Sequence, residues 1–141
     1  MAMRDPDAQY HKPLPAITSI NRPFWDALRR HELSMQKCDG CGLIWYPPSP
    51  LCPCCWSRSI AWVKLSGRGR VSSWVVFHQS YFKSFDAEIP YNVVEVELDE
   101  GPRILANVVG ISNDKIRTGI PVEIVFDDVT DEVTLARFKP R

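Results

Sequence analysis

All five cysteines of the 141-residue chain lie between positions 38 and 55, and their spacing constrains the fold more than any other feature. Cys38 and Cys41 form one Cys-x-x-Cys pair, and Cys52 and Cys55 form a second pair after ten intervening residues. Two such knuckles can bring four thiolates to the corners of one tetrahedron, which is typical of a structural zinc ribbon. Cys54 is left over, and it is expected to replace Cys55 as a ligand only if the second knuckle is compressed.

Disulfides and redox-active thiols are the alternatives to a metal site. Disulfides are disfavoured because residues 1–12 lack the apolar segment of a secretory signal, and a reducing compartment favours metal binding. A redox site needs only one Cys-x-x-Cys pair, whereas this chain has two. Four sulfur ligands leave no open coordination position for water or substrate, so the zinc is predicted to be structural and not catalytic.

The composition is that of a neutral chain of ordinary single-domain size. Lysine and arginine total 17, as do aspartate and glutamate, so no net charge attracts nucleic acid or an anionic membrane. No apolar run approaches the roughly 18 residues that suggest a membrane-spanning helix. These features predict a soluble, cytoplasmic protein that does not associate with membranes.

The predicted organisation has four consecutive parts: a flexible lead-in over residues 1–18, an N-terminal helix over 19–36, a zinc ribbon over 37–62 and an OB-fold domain over 63–141. Ser19 or Asn21 can cap the helix, and Pro23 suits its first turn. Phe24 and Trp25 begin an apolar stripe on the helix. This stripe is expected either to pack on the ribbon and barrel or to contact a partner.

The C-terminal half alternates apolar and polar residues with the period of β-strands. Barrel strands are predicted over residues 70–78, 91–98, 103–109, 121–127 and 133–138, after a ribbon strand over 59–65. In the first barrel strand, one face is expected to carry Val71, Val75 and Phe77, and the other Trp74 and Val76. A short helical turn at 114–116 favours a five-stranded Greek-key barrel of the OB type, in a mainly β protein.

The connection over residues 78–90 contains three aromatic residues, Tyr81, Phe82 and Phe85. Loops run over the protein surface, so apolar groups in them should cover or contact something. Two interpretations stay open for these rings: they cap the open end of the barrel, or they clamp a ligand or a partner.

Motifs spread over residues 23–138 resemble those of the rubredoxin-like zinc-ribbon plus OB-fold proteins, the domain of unknown function 35 family. The matching motifs are Phe24-Trp25, Cys38-x-x-Cys41-Gly42, Tyr46-Pro47-Pro48, Cys52-Pro53-x-Cys55, Gly67-x-Gly69-x-Val71, Pro90-Tyr91, Asp99-Glu100-Gly101-Pro102-Arg103, Gly119-x-Pro121-Val122 and Phe138. Trp56 departs from the pattern, because the family often has glycine after the last cysteine. We expect this departure to reshape the second knuckle without removing a ligand.

The resemblance implies a non-catalytic companion of a thiolase-fold enzyme, either an acyl-CoA acyltransferase or an aldolase that cleaves steroid side-chain CoA thioesters. It also implies association with a hot-dog-fold hydratase and a role in holding the acyl-CoA thioester. The contact residues that we predict for the ligand and the partner are the basic Arg68, Arg70 and Lys83 and the aromatic Tyr81, Phe82, Phe85, Phe24 and Trp25.

No motif assigns catalysis to the chain itself. His11, His31 and His78 lack a recognisable partner residue for nucleophilic catalysis, and the sequence has no GxGxxG, P-loop or HExxH motif. The alternative function is binding of single-stranded nucleic acid, which zinc ribbons and OB folds also support. The neutral net charge and the acidic C-terminal half disfavour it, because phosphate neutralisation supplies most non-specific affinity.

Overall fold

The structure is a computed structural model that describes residues 10–141, so residues 1–9 of the predicted lead-in lie outside the described part. The elements in chain order are α1 (Arg22–Arg29), β1 (Leu33–Cys38), β2 (Ile44–Trp45), β3 (Ile60–Leu65), β4 (Arg68–Phe77), β5 (Tyr91–Leu98), β6 (Arg103–Ala106), β7 (Pro121–Asp128) and β8 (Thr134–Pro140). Two 3₁₀ turns, Lys83–Phe85 and Asn113–Lys115, lie in the β4–β5 and β6–β7 connections. Within residues 10–141, no helix is long and apolar enough to cross a membrane.

Helix α1 is shorter than the helical segment predicted over residues 19–36. Asn21 occupies the N-cap position, but its side chain accepts a hydrogen bond from the Thr18 N–H instead of capping the helix. The helix ends at Arg29, and His31 then turns the chain with a φ of 59°. The segment Leu33–Cys38 is strand β1, because it pairs with β3 along its whole length. Leu33 has the spacing of the apolar helix residues before it, but pairing with β3 makes its segment a strand.

The strands form two antiparallel sheets. The ribbon sheet has the order β2-β1-β3, and the barrel sheet has the order β6-β5-β4-β7-β8. The barrel sheet closes through a parallel bridge between Val108 and Phe138, where the Val109 N–H donates to the Phe138 carbonyl at 2.7 Å. A curled five-stranded sheet with a 3₁₀ turn before its fourth strand is consistent with an OB fold and confirms the predicted fold class.

One core joins the N-terminal arm to the barrel. Leu28 from α1 and Leu33 and Met35 from β1 belong to the same buried cluster as Val96 and Phe138 from the barrel. The ribbon has only a small core of its own, in which Trp45 packs with two cysteines. The helix therefore packs on the ribbon and the barrel, which is one of the two interpretations of its apolar stripe.

The predicted faces of strand β4 were wrong after Val71. A β-bulge between Val71 and Ser73 inserts one extra residue into this strand, which reverses the alternation beyond it. Trp74 therefore packs against the core, whereas Val75 is exposed. The regular period of two placed Val75 on the same face as Val71, because a bulge leaves no clear signal in the apolar pattern.

Gly69 lies where strand β4 approaches strand β5 too closely for a side chain. A Cβ at this position would lie 2.3 Å from the Glu97 carbonyl oxygen and 2.9 Å from Val96 Cγ1. We expect Gly69→Ala to lower the free energy of unfolding by about 1–3 kcal/mol, because the paired backbone must move. Urea unfolding measures this loss.

Ser73→Ala, at an exposed position on the same strand, is the control and should change stability by less than about 0.5 kcal/mol. Equal losses would contradict the close-approach argument.

Candidate metal centre and contact surfaces

The structure brings four of the five cysteines into one cluster. The Sγ atoms of Cys38, Cys41, Cys52 and Cys55 all lie within 4.8 Å of one another. The Cys38–Cys55 and Cys41–Cys52 Sγ distances are 3.5 and 3.6 Å, far longer than the roughly 2.05 Å of a disulfide. A tetrahedral zinc site with Zn–S bonds of about 2.3 Å has sulfurs roughly 3.8 Å apart. The cluster therefore fits a four-coordinate metal ion.

Two similar backbone turns build this cluster. The Gly42 N–H donates to the Cys38 carbonyl, and the Trp56 N–H donates to the Cys52 carbonyl, both at 2.9 Å. Gly42 and Trp56 each follow the second cysteine of a pair and have φ values of 78° and 61°. Trp56 thus adopts the left-handed conformation that glycine adopts in the first knuckle. The substitution at this position leaves the knuckle geometry intact.

The electrostatics of the cluster favour a bound cation. The Cys41 N–H donates to the Cys38 sulfur and lowers the pKa of Cys38 to about 6. The Leu43 N–H acts to lower the pKa of Cys41, yet the neighbouring Cys52 sulfur helps to raise it to about 12. Sulfurs this close resist ionising together, because adjacent thiolates repel each other. A divalent metal ion removes that repulsion, so the residues present suit one.

Cys54 is exposed and lies outside the four-sulfur cluster. Its position between Cys52 and Cys55 explains this, because the intervening residue of a tight knuckle points away from the metal. Of the two candidates for the fourth ligand, the geometry therefore favours Cys55.

Phe24 and Trp25 differ from the other predicted contact residues because they pack inside the protein. Phe24 is buried in the shared core, and Trp25 is partly buried against it, with the two ring centroids 5.2 Å apart. The Phe24 side chain therefore takes part in core packing, and a partner contact at Phe24 and Trp25 stays a prediction.

The predicted basic residues come from two different segments of the chain. Arg68 and Arg70 lie on the exposed face at the start of β4, and Arg70 donates to the Gly119 carbonyl at 2.9 Å. Lys83 lies in the connection beyond the other end of this ten-residue strand. Contact of these residues with a CoA phosphate or an acidic partner patch stays a prediction.

The aromatic connection both covers the barrel end and exposes rings to solvent. Phe85 packs 5.5 Å from the Tyr91 ring, and Tyr91 stacks on Phe77 at 5.1 Å. Tyr81 and Phe82 remain 66% and 58% exposed. Phe85 therefore has the covering role, while Tyr81 and Phe82 are available for contacts.

A cavity of about 440 Å³ lies beside these rings and is lined by residues that include Phe85, Tyr91, Asn92, Asn107 and Arg137. No sequence motif indicated this cavity, although Phe85 in its lining is one of the predicted contact residues. Asn92 gives the one signal that could have indicated it, because it has the same alternation phase as the inward-facing Val94, Val96 and Leu98. A polar residue at an inward position needs a buried hydrogen-bond partner.

Two protein-family models match adjoining parts of the chain. The family described as "ChsH2, rubredoxin-like zinc ribbon domain" matches residues 25–61, and "ChsH2, C-terminal OB-fold domain" matches residues 62–127. The boundary between the two matches falls within strand β3, which leads from the ribbon into the barrel.

Two curated relatives illustrate the range of lengths among similar proteins. A "DUF35 domain-containing scaffold protein" of Methanothermobacter thermautotrophicus is 35% identical over 82% of this chain and 87% of its own length. A "Probable enoyl-CoA hydratase alpha subunit" of Thermomonospora curvata is 39% identical over 92% of this chain. The matched region is 40% of that relative, so the chain spans about two-fifths of its length.

A solved structure described as "Ltp2-ChsH2(DUF35) aldolase" has a similar fold. Its matching chain superposes with a TM-score of 0.82 at 38% sequence identity. The match covers 90% of this chain and 98% of that chain.

Proposed function

This chain belongs to the DUF35 family of zinc-ribbon and OB-fold proteins, and we propose that it is a non-catalytic subunit of a thiolase-fold enzyme. The partner enzyme is an acyl-CoA acyltransferase or an aldolase that acts on acyl-CoA or steroid side-chain CoA thioesters. The subunit helps to assemble the complex and to hold the CoA thioester. Its location is the cytoplasm, where reducing conditions keep cysteine thiols available to a metal.

The similarity to a chain of a solved aldolase carries this proposal, because that match extends over nearly the whole of both chains. The resemblance of the sequence motifs to companions of thiolase-fold enzymes supports the class of partner. A hydratase of the hot-dog fold is a further candidate partner, supported by the relative named as a hydratase alpha subunit.

The side-chain chemistry of the described residues supports a non-catalytic role. His31 Nε2 lies 3.0 Å from the carboxylate of Asp128, which is the histidine–carboxylate pair that nucleophilic catalysis would use. The nearby Thr134 hydroxyl donates to Asp128 at 2.5 Å and is therefore not activated by the histidine. The pair joins the end of helix α1 to strand β7, which is a structural task.

We assign the metal of the ribbon as zinc, held by Cys38, Cys41, Cys52 and Cys55. When bound, the ion supplies four strong bonds that hold the two knuckles together. A complete sulfur shell has no open position, so the ion stabilises the fold and takes no part in a reaction.

Co-expression with the neighbouring reading frames, followed by purification through a tag on this chain, tests the proposed function. We expect a thiolase-fold protein to co-purify in a stable hetero-oligomer, and thioester turnover to require both chains. Turnover by this chain alone would contradict the non-catalytic assignment. Co-purification of single-stranded nucleic acid that is released by salt would favour the alternative.

Tyr81 and Phe82 provide a sharper test of the contact surface. Exposed aromatic residues at interfaces often account for more than about 1 kcal/mol of binding energy each. We expect the double replacement Tyr81→Ala/Phe82→Ala to weaken association with the partner at least tenfold, as measured by calorimetry.

Leu105→Ala is the matched control for this test, because Leu105 is 67% exposed on strand β6, away from the aromatic connection. This variant should bind the partner as the unmodified chain does. If the double variant also bound normally, the aromatic connection would not be a partner contact.

A further inference from the structure

The cavity beside the aromatic connection has the size and the two-sided lining of a small-molecule site. Its volume of about 440 Å³ lies within the roughly 300–1,000 Å³ typical of ligand pockets. Phe85 and Tyr91 provide an aromatic wall, and Asn107 and Arg137 provide a polar wall. The aromatic wall comes from the β4–β5 connection and the start of β5, whereas Arg137 comes from β8. The site is therefore built where the barrel closes.

Arg137 is held in place and still has unused hydrogen-bond donors. Its Nε donates to Asp127 and its Nη1 donates to Asn107, both at 2.7 Å. Its Nη2 makes no hydrogen bond to any residue in the described part of the chain. Across residues 10–141, every fully buried side-chain nitrogen or oxygen has a partner, so this Nη2 must be accessible. A guanidinium that is already oriented loses little freedom on binding a ligand.

The polar wall is rigid because it belongs to the barrel closure. Asn92 accepts from the Val108 N–H at 2.8 Å and donates to the Val108 carbonyl at 2.9 Å. Asn107 donates to the Asn92 carbonyl at 2.6 Å. These carboxamides are therefore occupied with the backbone, and their remaining partners are Asn113 for Asn92 and Arg137 for Asn107. The hydrogen-bond donors that remain unused in this wall are therefore those of Arg137.

A second cation lies at the cavity. Lys12 lines it, forms an ion pair with Glu88 and lies 5.3 Å from the centre of the Phe85 ring. The pairs with Asp127 and Glu88 leave no net positive charge from these two cations, so a ligand anion would be held by the directed hydrogen bonds of Arg137. Ligand anions form short, strong hydrogen bonds with arginine, and flat groups pack well on aromatic rings.

We propose that this cavity binds a small carboxylate that bears a flat, unsaturated group. The carboxylate accepts hydrogen bonds from Arg137, and the flat group packs against Phe85 and Tyr91. The site lies on this chain alone, so the inference does not depend on the proposed association with a thiolase-fold enzyme.

Titration of the ¹⁵N-labelled full chain with benzoate, followed by NMR, tests this proposal. We expect saturable shifts of the Arg137 Nε–H and the Asn107 side-chain amide signals. Benzamide has the same ring without the charge, and inorganic phosphate has charge without a ring, so both should bind at least tenfold more weakly. Equal binding of either compound, or shifts that do not saturate with benzoate, would overturn the proposal.

Arg137→Gln should weaken benzoate binding at least tenfold. Arg103→Gln is the matched control, because Arg103 also pairs with glutamates on the barrel but lies outside the cavity lining. Since Arg137→Gln also removes the contact with Asp127, Phe85→Ala provides a second variant in a connection without strand pairing. It should weaken binding about fivefold while the backbone spectrum of the barrel is retained. Unchanged affinity in Phe85→Ala would overturn the assignment of the aromatic wall.

Discussion

Replacing Cys38 with serine should release the metal and unfold the ribbon. Apparent zinc-binding energies of about 10–16 kcal/mol in finger peptides show how much folding energy such a site supplies. The two knuckles have little else to stabilise them, because the buried cluster around them consists of Cys38, Trp45 and Cys52. Two of these three residues are metal ligands. We therefore expect loss of bound zinc by elemental analysis and a large fall in thermal stability.

Cys54→Ser is the matched control for this substitution. It removes a thiol that directly precedes the ligand Cys55, but Cys54 is exposed and outside the cluster. We expect one zinc ion per chain and an unchanged melting temperature. Loss of zinc in Cys54→Ser would show that the second knuckle uses a different cysteine. A metal-free Cys38→Ser chain that is as stable as the unmodified protein would contradict the structural role of the metal.

Replacing Phe138 with alanine should cause the second largest loss of stability, and this loss affects the barrel. Phe138 is the largest of the fully buried side chains, and its backbone forms the bridge that closes the sheet. Deleting a buried phenylalanine side chain costs about 3–5 kcal/mol, because it removes apolar contacts and leaves a cavity. This loss is a large fraction of the roughly 5–15 kcal/mol by which proteins are stable. Urea unfolding monitored by circular dichroism measures it.

Phe82→Ala makes the same chemical change at an exposed position. We expect it to alter the free energy of unfolding by less than about 0.5 kcal/mol. A similar loss in the two variants would mean that the barrel core does not depend on Phe138.

Strand prediction succeeded where the alternation was regular and failed where the backbone was not. Strand β5 was predicted over residues 91–98, as observed, because its apolar residues alternate without interruption. In β4 the bulge after Val71 reverses the alternation of the two faces. Trp74 therefore lies on the core face with Val71, and Val75 lies on the exposed face. A bulge depends on pairing with the neighbouring strand, so the local pattern could not reveal it.

The two sites differ in how far local sequence specifies them. Metal ligands cluster in short motifs because two tight turns present them, and their spacing is visible in the chain. The proposed carboxylate site combines Phe85, Asn107 and Arg137, which lie far apart in sequence. Only closure of the barrel through Val108 and Phe138 brings them to one cavity.

Three features could be predicted from the chain alone. The family follows from the resemblance of the motifs, the mainly β class from the alternation, and the four cysteines that fit a metal from local spacing. Only the tertiary structure shows that residues 33–38 form a strand and that Phe24 is buried. It also decided that Trp56 adopts a glycine-like conformation. These outcomes depend on contacts between distant segments, whose packing energy exceeds the preferences of any single stretch of chain.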